Sequence, residues 1–98
     1  MELNKKNIVK FIRQNKPELE NRYGIKRIGL FGSYAKDIAR QESDIDIVVE
    51  VSEPDLFILI GIKQYLEEAF GTRVDVVRLR EKMNLVLKKR IDRDAIYV

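Results

Sequence analysis

The segment IGLFGSYAKDIARQESDIDIVVE, residues 28–50, decides the fold because it joins two apolar runs through a polar connection. The first run, Arg27–Phe31, predicts a buried strand. The connection begins with a turn and predicts a short helix over residues 34–39. The second run predicts a strand over Asp44–Val51 with alternating acidic and apolar side chains. Two neighbouring strands with a helical connection form the centre of the predicted sheet.

The flanking sequence predicts helices on both sides of these strands. Asn4 is predicted to cap a first helix, which Pro17 interrupts before a short second helix ends at Gly24. Later elements are expected at 54–70 (helix), Arg73–Arg78 (strand), Glu81 onward (helix) and 95–98 (extended tail). This alternation predicts one α/β (α+β) domain over residues 1–98, in which helices pack on a small mixed or parallel sheet.

The composition limits the chemistry. The chain has 98 residues, 45% hydrophobic and 36% charged, and contains neither cysteine nor histidine. Thiolate and imidazole chemistry are therefore excluded, so acid-base or metal chemistry falls to carboxylates. No apolar run approaches the roughly 18 residues that cross a bilayer, and a cytoplasmic location without membrane partners is expected. The net charge of +3 permits nucleic-acid binding but does not indicate it.

Three aspartates are the candidate metal ligands. Asp44 and Asp46 share one face of their strand because side chains alternate along it. Asp75 lies in the middle of a later strand, where aspartate is disfavoured unless it has a role. Oxygen-only ligation favours Mg²⁺, or Mn²⁺, and three carboxylates could hold two ions. In the plainer alternative, Asp44 caps a strand end, Asp46 meets a lysine and Asp75 is half-exposed at a sheet edge.

The Gly32–Ser33 pair follows the first strand directly. A residue without a Cβ lets a phosphate approach the backbone, and the serine hydroxyl adds a donor. The alternative is an ordinary strand-to-helix connection in which Ser33 is the N-cap.

A Gly-Ser turn, a linker of about ten residues, an Asp-Ile-Asp strand and a later strand aspartate together resemble the DNA polymerase beta-like nucleotidyltransferase superfamily. Within it, the chain is similar to minimal nucleotidyltransferase (MNT) proteins, including antitoxins that accompany HEPN-domain toxins. The resemblance implies that Gly32 and Ser33 bind the phosphates of ATP, and that Asp44, Asp46 and Asp75 are the catalytic and metal-binding triad. It also implies transfer of AMP to a tyrosine of a HEPN-type toxin.

The turn departs from the family's usual GSxARG pattern. Lys36 replaces arginine and remains a candidate phosphate ligand, whereas Asp37 replaces glycine and adds an anion. Two alternatives to the adenylyltransferase therefore stay open. One is an antitoxin that neutralises its partner by binding alone, and the other is a nucleotidyltransferase for a small-molecule or RNA acceptor.

The helix over residues 55–70 is apolar around more than one face in its first half. The favoured interpretation is a central helix covered by the terminal helices. The alternative is an apolar patch that binds a toxin or a second copy of the chain, giving a hetero-oligomer or a homodimer.

Overall fold

The computed structural model describes residues 1–40 and 42–98. It contains, in chain order, α1 (Lys5–Tyr23), β1 (Ile25–Phe31), α2 (Gly32–Ala35), β2 (Ile45–Val51), α3 (Leu56–Phe70), β3 (Val74–Arg78), α4 (Leu85–Asp94) and β4 (Ile96–Tyr97). The predicted order of elements is confirmed, and the expected extended tail forms the short fourth strand. In the part of the chain so described, none of the helices combines the length and apolar character needed to cross a membrane.

The four strands form one mixed sheet in the order β3-β2-β1-β4. Strand β1 pairs antiparallel with both β2 and β4, whereas β2 and β3 run parallel. This arrangement confirms the predicted α/β (α+β) class with a small mixed sheet. It also places β2 beside β3, so that the two acid-bearing strands are neighbours.

Helices cover both faces of the sheet. Helices α1 and α3 bury Ile47 and Val49 of β2, together with the apolar side chains of β1, in the main core. On the other face, Ile91 of α4 packs with Phe31 and Val48 in a second, smaller cluster. Because Asp46 alternates with Ile47 along β2, its side chain belongs to the α4 face. Helix α4 therefore forms a wall beside the candidate site.

Pro17 does not interrupt the first helix, and that prediction is wrong. Helix α1 continues from Lys5 to Tyr23 with Pro17 inside it. The proline lies on the exposed side, whereas Leu19, two turns beyond Ile12 on the buried stripe, is fully buried. Burial of that stripe offsets the roughly 3 kcal/mol that an internal proline costs. The predicted cap and stop are confirmed at Asn4, which accepts a hydrogen bond from the Asn7 amide at 2.8 Å, and at Gly24.

Helix α2 is shorter than predicted. It spans only Gly32–Ala35 instead of residues 34–39. Asp37 has a φ of 59°, in the left-handed region, and a helix cannot continue through that backbone conformation. Two other helices start later than expected, since Asp55 caps α3 and Asn84 caps α4 through side-chain hydrogen bonds.

The terminal helices cover the first half of α3 only in part, contrary to the favoured interpretation. Ile62 is buried and Ile58 and Leu59 are half-buried, but Leu56 is 70% and Phe57 80% exposed. Ile60 is also exposed. We call Leu56, Phe57 and Ile60 the α3 patch. The alternative of an apolar surface patch is therefore the correct one.

Candidate functional site

Gly32 begins the turn at the end of β1 and lies directly against β2. Its φ is 73°, a conformation that glycine adopts without steric cost. A Cβ at this position would overlap Asp46 Oδ2 and lie 2.9 Å from Asp46 Cγ. The carboxylate of Asp46 thus occupies the space that the missing side chain leaves. Gly32 and Asp46 are therefore in contact, which the sequence spacing alone could only suggest.

Asp46 and Asp75 are direct neighbours in the sheet. Strand register pairs Phe31 of β1 with Asp46 of β2, and Asp46 with Asp75 of β3. Residues opposite each other in a sheet point to the same face, so these three side chains form one row across the α4 face. The predicted pairing of the two acid-bearing strands is confirmed.

Asp44 lies one residue before β2 and is exposed. Its Oδ1 is 3.2 Å from the Nε of Arg73, which precedes β3. A backbone hydrogen bond from the Ile45 amide to the Arg73 carbonyl, 3.0 Å long, ties the two strand starts together. Asp44 therefore lies at the same end of the sheet as Asp46, with an arginine as its present partner.

Burial and neighbouring like charges both disfavour ionisation of Asp46. Burial raises the pKa of its carboxyl above the ordinary value of 3.8, and the charges of Asp75 and Asp44 raise it further. The positive charge of Arg90 opposes this rise. Like charges that share a site make ionisation costly unless a cation is present. The three aspartates are thus close enough to interact, although Asp75 is exposed and Asp46 is half-buried.

The donor chemistry fits a hard divalent cation. All three candidate ligands are carboxylates, which Mg²⁺ prefers, and a cation would offset the burial and the like-charge repulsion that raise the pKa of Asp46. As placed, the described side chains do not converge into a set of three ready to hold a metal ion. Asp44 would have to leave Arg73 to join the other two. The residues fit such an ion in charge and type, and binding requires a side-chain rearrangement.

Ser33, Lys36 and Asp37 occupy three different environments. Ser33 is half-buried within α2 and is not the N-cap, since Phe31 takes that position without a side-chain hydrogen bond. Lys36 is exposed, and its Nζ lies 3.3 Å from Asp94 on α4. Asp37 points to α1, with its Oδ2 2.8 Å from Lys5 Nζ. The extra anion of the turn is therefore paired.

Arg90 is a site residue that sequence reasoning missed. Its guanidinium lies over the ring of Phe31, 5.8 Å from the centroid, and its positive charge acts to lower the pKa of Asp46. In the sequence it belongs to the run Lys88–Arg93, which is typical of a solvated helix face. Only the packing of α4 on the sheet distinguishes it from the other cations of that run.

Asp46→Asn is expected to stabilise the metal-free protein at pH 7. Well below pH 3.8 the carboxyl is protonated in both the folded and the unfolded chain, so it does not change the free energy of unfolding. As pH rises, the unfolded chain releases the proton first, and the free energy of unfolding falls until the folded-state pKa is passed. The variant should therefore melt at a higher temperature than the wild type at pH 7 but not at pH 3. Thermal melts in a chelator at both pH values measure this; a wild type that melts above the variant at pH 7 would contradict it.

A family model described as a nucleotidyltransferase domain matches residues 6–98. The protein adenylyltransferase MntA of Thermococcus cleftensis is 39% identical over 85 residues, covering 86% of this chain and 85% of that protein. A crystal structure of a toxin-antitoxin with AMP-PNP aligns with a TM-score of 0.69 and 31% identity, over 97% of this chain and 72% of that one.

A second solved structure is that of tri-AMPylated Shewanella oneidensis HEPN toxin in complex with MNT antitoxin. It aligns with a TM-score of 0.60 and 29% identity, over 96% of this chain and 67% of that one. These matches confirm the resemblance that the Gly-Ser turn and the aspartates indicated. The chain belongs to the nucleotidyltransferase-domain family and has the minimal nucleotidyltransferase fold.

Proposed function

We propose that this protein is an antitoxin that uses Mg²⁺ and ATP to transfer AMP to a tyrosine hydroxyl of a HEPN-type toxin. One observation carries the proposal: Gly32 leaves the space that Asp46 fills, while Asp75 lies beside Asp46 in register. A phosphate-binding turn and a carboxylate row in contact are the two halves that nucleotidyl transfer requires.

Each site residue has a proposed role. Asp44, Asp46 and Asp75 hold Mg²⁺, which when bound offsets the charge of the triphosphate and makes the acceptor hydroxyl more acidic. Gly32 and Ser33 bind phosphate oxygens through backbone amides and the serine hydroxyl. Lys36 stays a candidate phosphate ligand, although its ammonium now pairs with Asp94.

The transfer step exchanges a phosphoanhydride bond of ATP for a phosphoester bond to the tyrosine. The tyrosine oxygen bonds to the α-phosphorus of ATP, and the bond between that phosphorus and the bridging oxygen breaks. Pyrophosphate leaves with the electron pair. The phenolic proton passes to the Asp75 carboxylate, which is exposed and therefore accessible to an acceptor.

The names and titles of the similar proteins support this proposal. The Thermococcus cleftensis relative is named a protein adenylyltransferase. One structural neighbour contains AMP-PNP, and another contains an AMPylated HEPN toxin together with its antitoxin.

Incubation of the chain with Mg²⁺, radiolabelled ATP and a cognate HEPN-type protein tests the proposal. We expect label on the partner when ATP carries it in the α-phosphate, and none when it is in the γ-phosphate. Chelation of Mg²⁺ should abolish labelling. Absence of label on the partner in the α-labelled reaction would refute the transferase.

A binding-only antitoxin is the second candidate, and the exposed α3 patch favours it. That candidate predicts neutralisation that survives loss of Asp44 and Asp46. A nucleotidyltransferase for a small-molecule or RNA acceptor is the third candidate, and no specific observation favours it.

We expect Phe57→Ser to weaken the complex with the toxin. The ring is 80% exposed, and placing it in a partner's apolar pocket would contribute roughly 2 kcal/mol, so its loss should raise the dissociation constant about 30-fold. Lys63→Ser, a change at an exposed site of the same helix, is the control and should have little effect. Titration of the toxin by calorimetry measures both variants; equal affinities for the two would remove the α3 patch from the interface.

A further inference from the structure

The proposed function requires cations for the triphosphate, and the cation predicted from the sequence is already paired. Lys36 Nζ lies 3.3 Å from the nearly buried carboxylate of Asp94. Asp94 also accepts two hydrogen bonds from Arg93, at 2.9 and 3.0 Å. Lys36 and Arg93 thus share the Asp94 carboxylate on α4. Neither cation is directed to the row of aspartates by its contacts.

Arg90, one turn before Asp94 on α4, makes a different contact. It stands over the ring of Phe31, whose strand partner is Asp46, and Phe31 directly precedes Gly32. The same ring packs with Val48 and Ile91, and all three are almost fully buried, which fixes its position. A planar guanidinium over a fixed aromatic ring keeps its N–H edges free for other acceptors.

Arg90 has no carboxylate partner of its own. None of the ion pairs within residues 1–40 and 42–98 includes it, although it lies over Phe31, the strand partner of Asp46. An exposed arginine that lies over the strand neighbour of Asp46 without a carboxylate partner is available for a further anion at this place.

We propose that Arg90 binds the phosphate chain of ATP, in the role for which the sequence suggested Lys36. This inference rests on the proposed function and specifies that the negatively charged phosphates bind on the α4 side of the site. The phosphates lie between the Gly32–Ser33 turn and α4, with the guanidinium donating to non-bridging oxygens. The partner's hydroxyl then approaches from the opposite end of the row, where Asp75 is exposed.

Nucleotides of different phosphate content test this assignment in the intact chain. Arg90→Ala should raise the dissociation constant for Mg-ATP about ten- to a hundredfold, because charge-assisted hydrogen bonds to phosphate are lost. The dissociation constant for adenosine should change less than about threefold, because the base and ribose keep their contacts. Arg90→Lys should recover part of the affinity for ATP, since it keeps the charge but not the bidentate geometry.

Lys89→Ala is the matched control, because it removes the same charge from an exposed neighbour on the same helix. It should bind Mg-ATP as the wild type does. If Arg90→Ala and Lys89→Ala bind Mg-ATP equally well while the wild type transfers AMP, the role of Arg90 is refuted and the proposed function stands. If the wild type itself binds no ATP, both are refuted. An equal loss of ATP and adenosine binding in Arg90→Ala would also overturn the assignment, because it would indicate a structural defect.

Discussion

Asp46→Asn is expected to lower the rate of AMP transfer by about 10³-fold or more. The substitution keeps the shape of the side chain but removes the charge that would hold Mg²⁺, and metal-dependent stabilisation of the transition state supplies several kcal/mol, at 1.36 kcal/mol for each factor of ten. Because Asp46 ionises at a cost in the metal-free fold, the same variant should be more stable than the wild type. Loss of activity could not then be attributed to unfolding.

Single-turnover transfer to the toxin at saturating Mg-ATP measures this effect. Asp92→Asn is the control, since Asp92 is an exposed acid on α4 and the same atoms are exchanged. It should transfer AMP at nearly the wild-type rate. A variant at Asp46 that retains more than about a tenth of the wild-type rate would show that this carboxylate is not a metal ligand in the reaction.

Gly32→Ala is expected to reduce transfer about 100-fold and to destabilise the fold. The backbone φ of 73° costs an alanine about 1–2 kcal/mol. In addition, the new Cβ would overlap Asp46 and must displace its carboxylate. A displacement of about 1 Å at a reacting centre reduces rates by a factor on the order of 100.

Gly71→Ala separates the two causes. Gly71 ends α3 with a φ of 67°, and no neighbouring atom lies within 4 Å of a Cβ built there. It therefore carries the same backbone strain without the overlap. Thermal melts should show losses in both variants, about 4–8 °C for each kcal/mol in a domain of this size, while only Gly32→Ala loses transfer. Equal activities of the two variants would mean that contact between the turn and Asp46 is unimportant.

Much of the sheet could be predicted from the sequence because its strands are short, apolar and bounded by turn residues. The pairing of the two acid-bearing strands was predicted because an aspartate within the strand Val74–Arg78 is disfavoured by strand propensity. A functional site shared with the neighbouring strand would account for it. The proposed chemistry came from elimination, because a chain without cysteine or histidine leaves carboxylates as the candidate metal ligands.

The remaining features depend on tertiary packing. Pro17 is tolerated inside α1 because the helix buries Leu19 beyond it, which local propensity does not anticipate. The left-handed backbone of Asp37 shortens α2, and the Lys5–Asp37 pair links that turn to α1. Arg90 has no distinguishing signal in its basic run and acquires a role only because α4 packs over Phe31.

The same limit applies to the α3 patch. Its apolar residues were visible in the sequence, but whether they are covered depends on where α1 and α4 pack. In the fold, α1 packs on α3 from Gly61, which Tyr23 approaches closely, to Phe70, which contacts Phe11. The α3 patch at the start of the helix stays exposed and is available to a partner.

Intact-mass spectrometry of the toxin, after incubation with the chain, Mg²⁺ and ATP and then removal of the chain, tests the central claim most directly. The proposed function predicts that the separated toxin remains inactive and carries a covalent mass gain of one or more AMP units. With Asp46→Asn, the separated toxin should be active and show no mass gain. A toxin that is neutralised in the mixture by both proteins, but regains activity and its original mass once they are removed, would contradict the account.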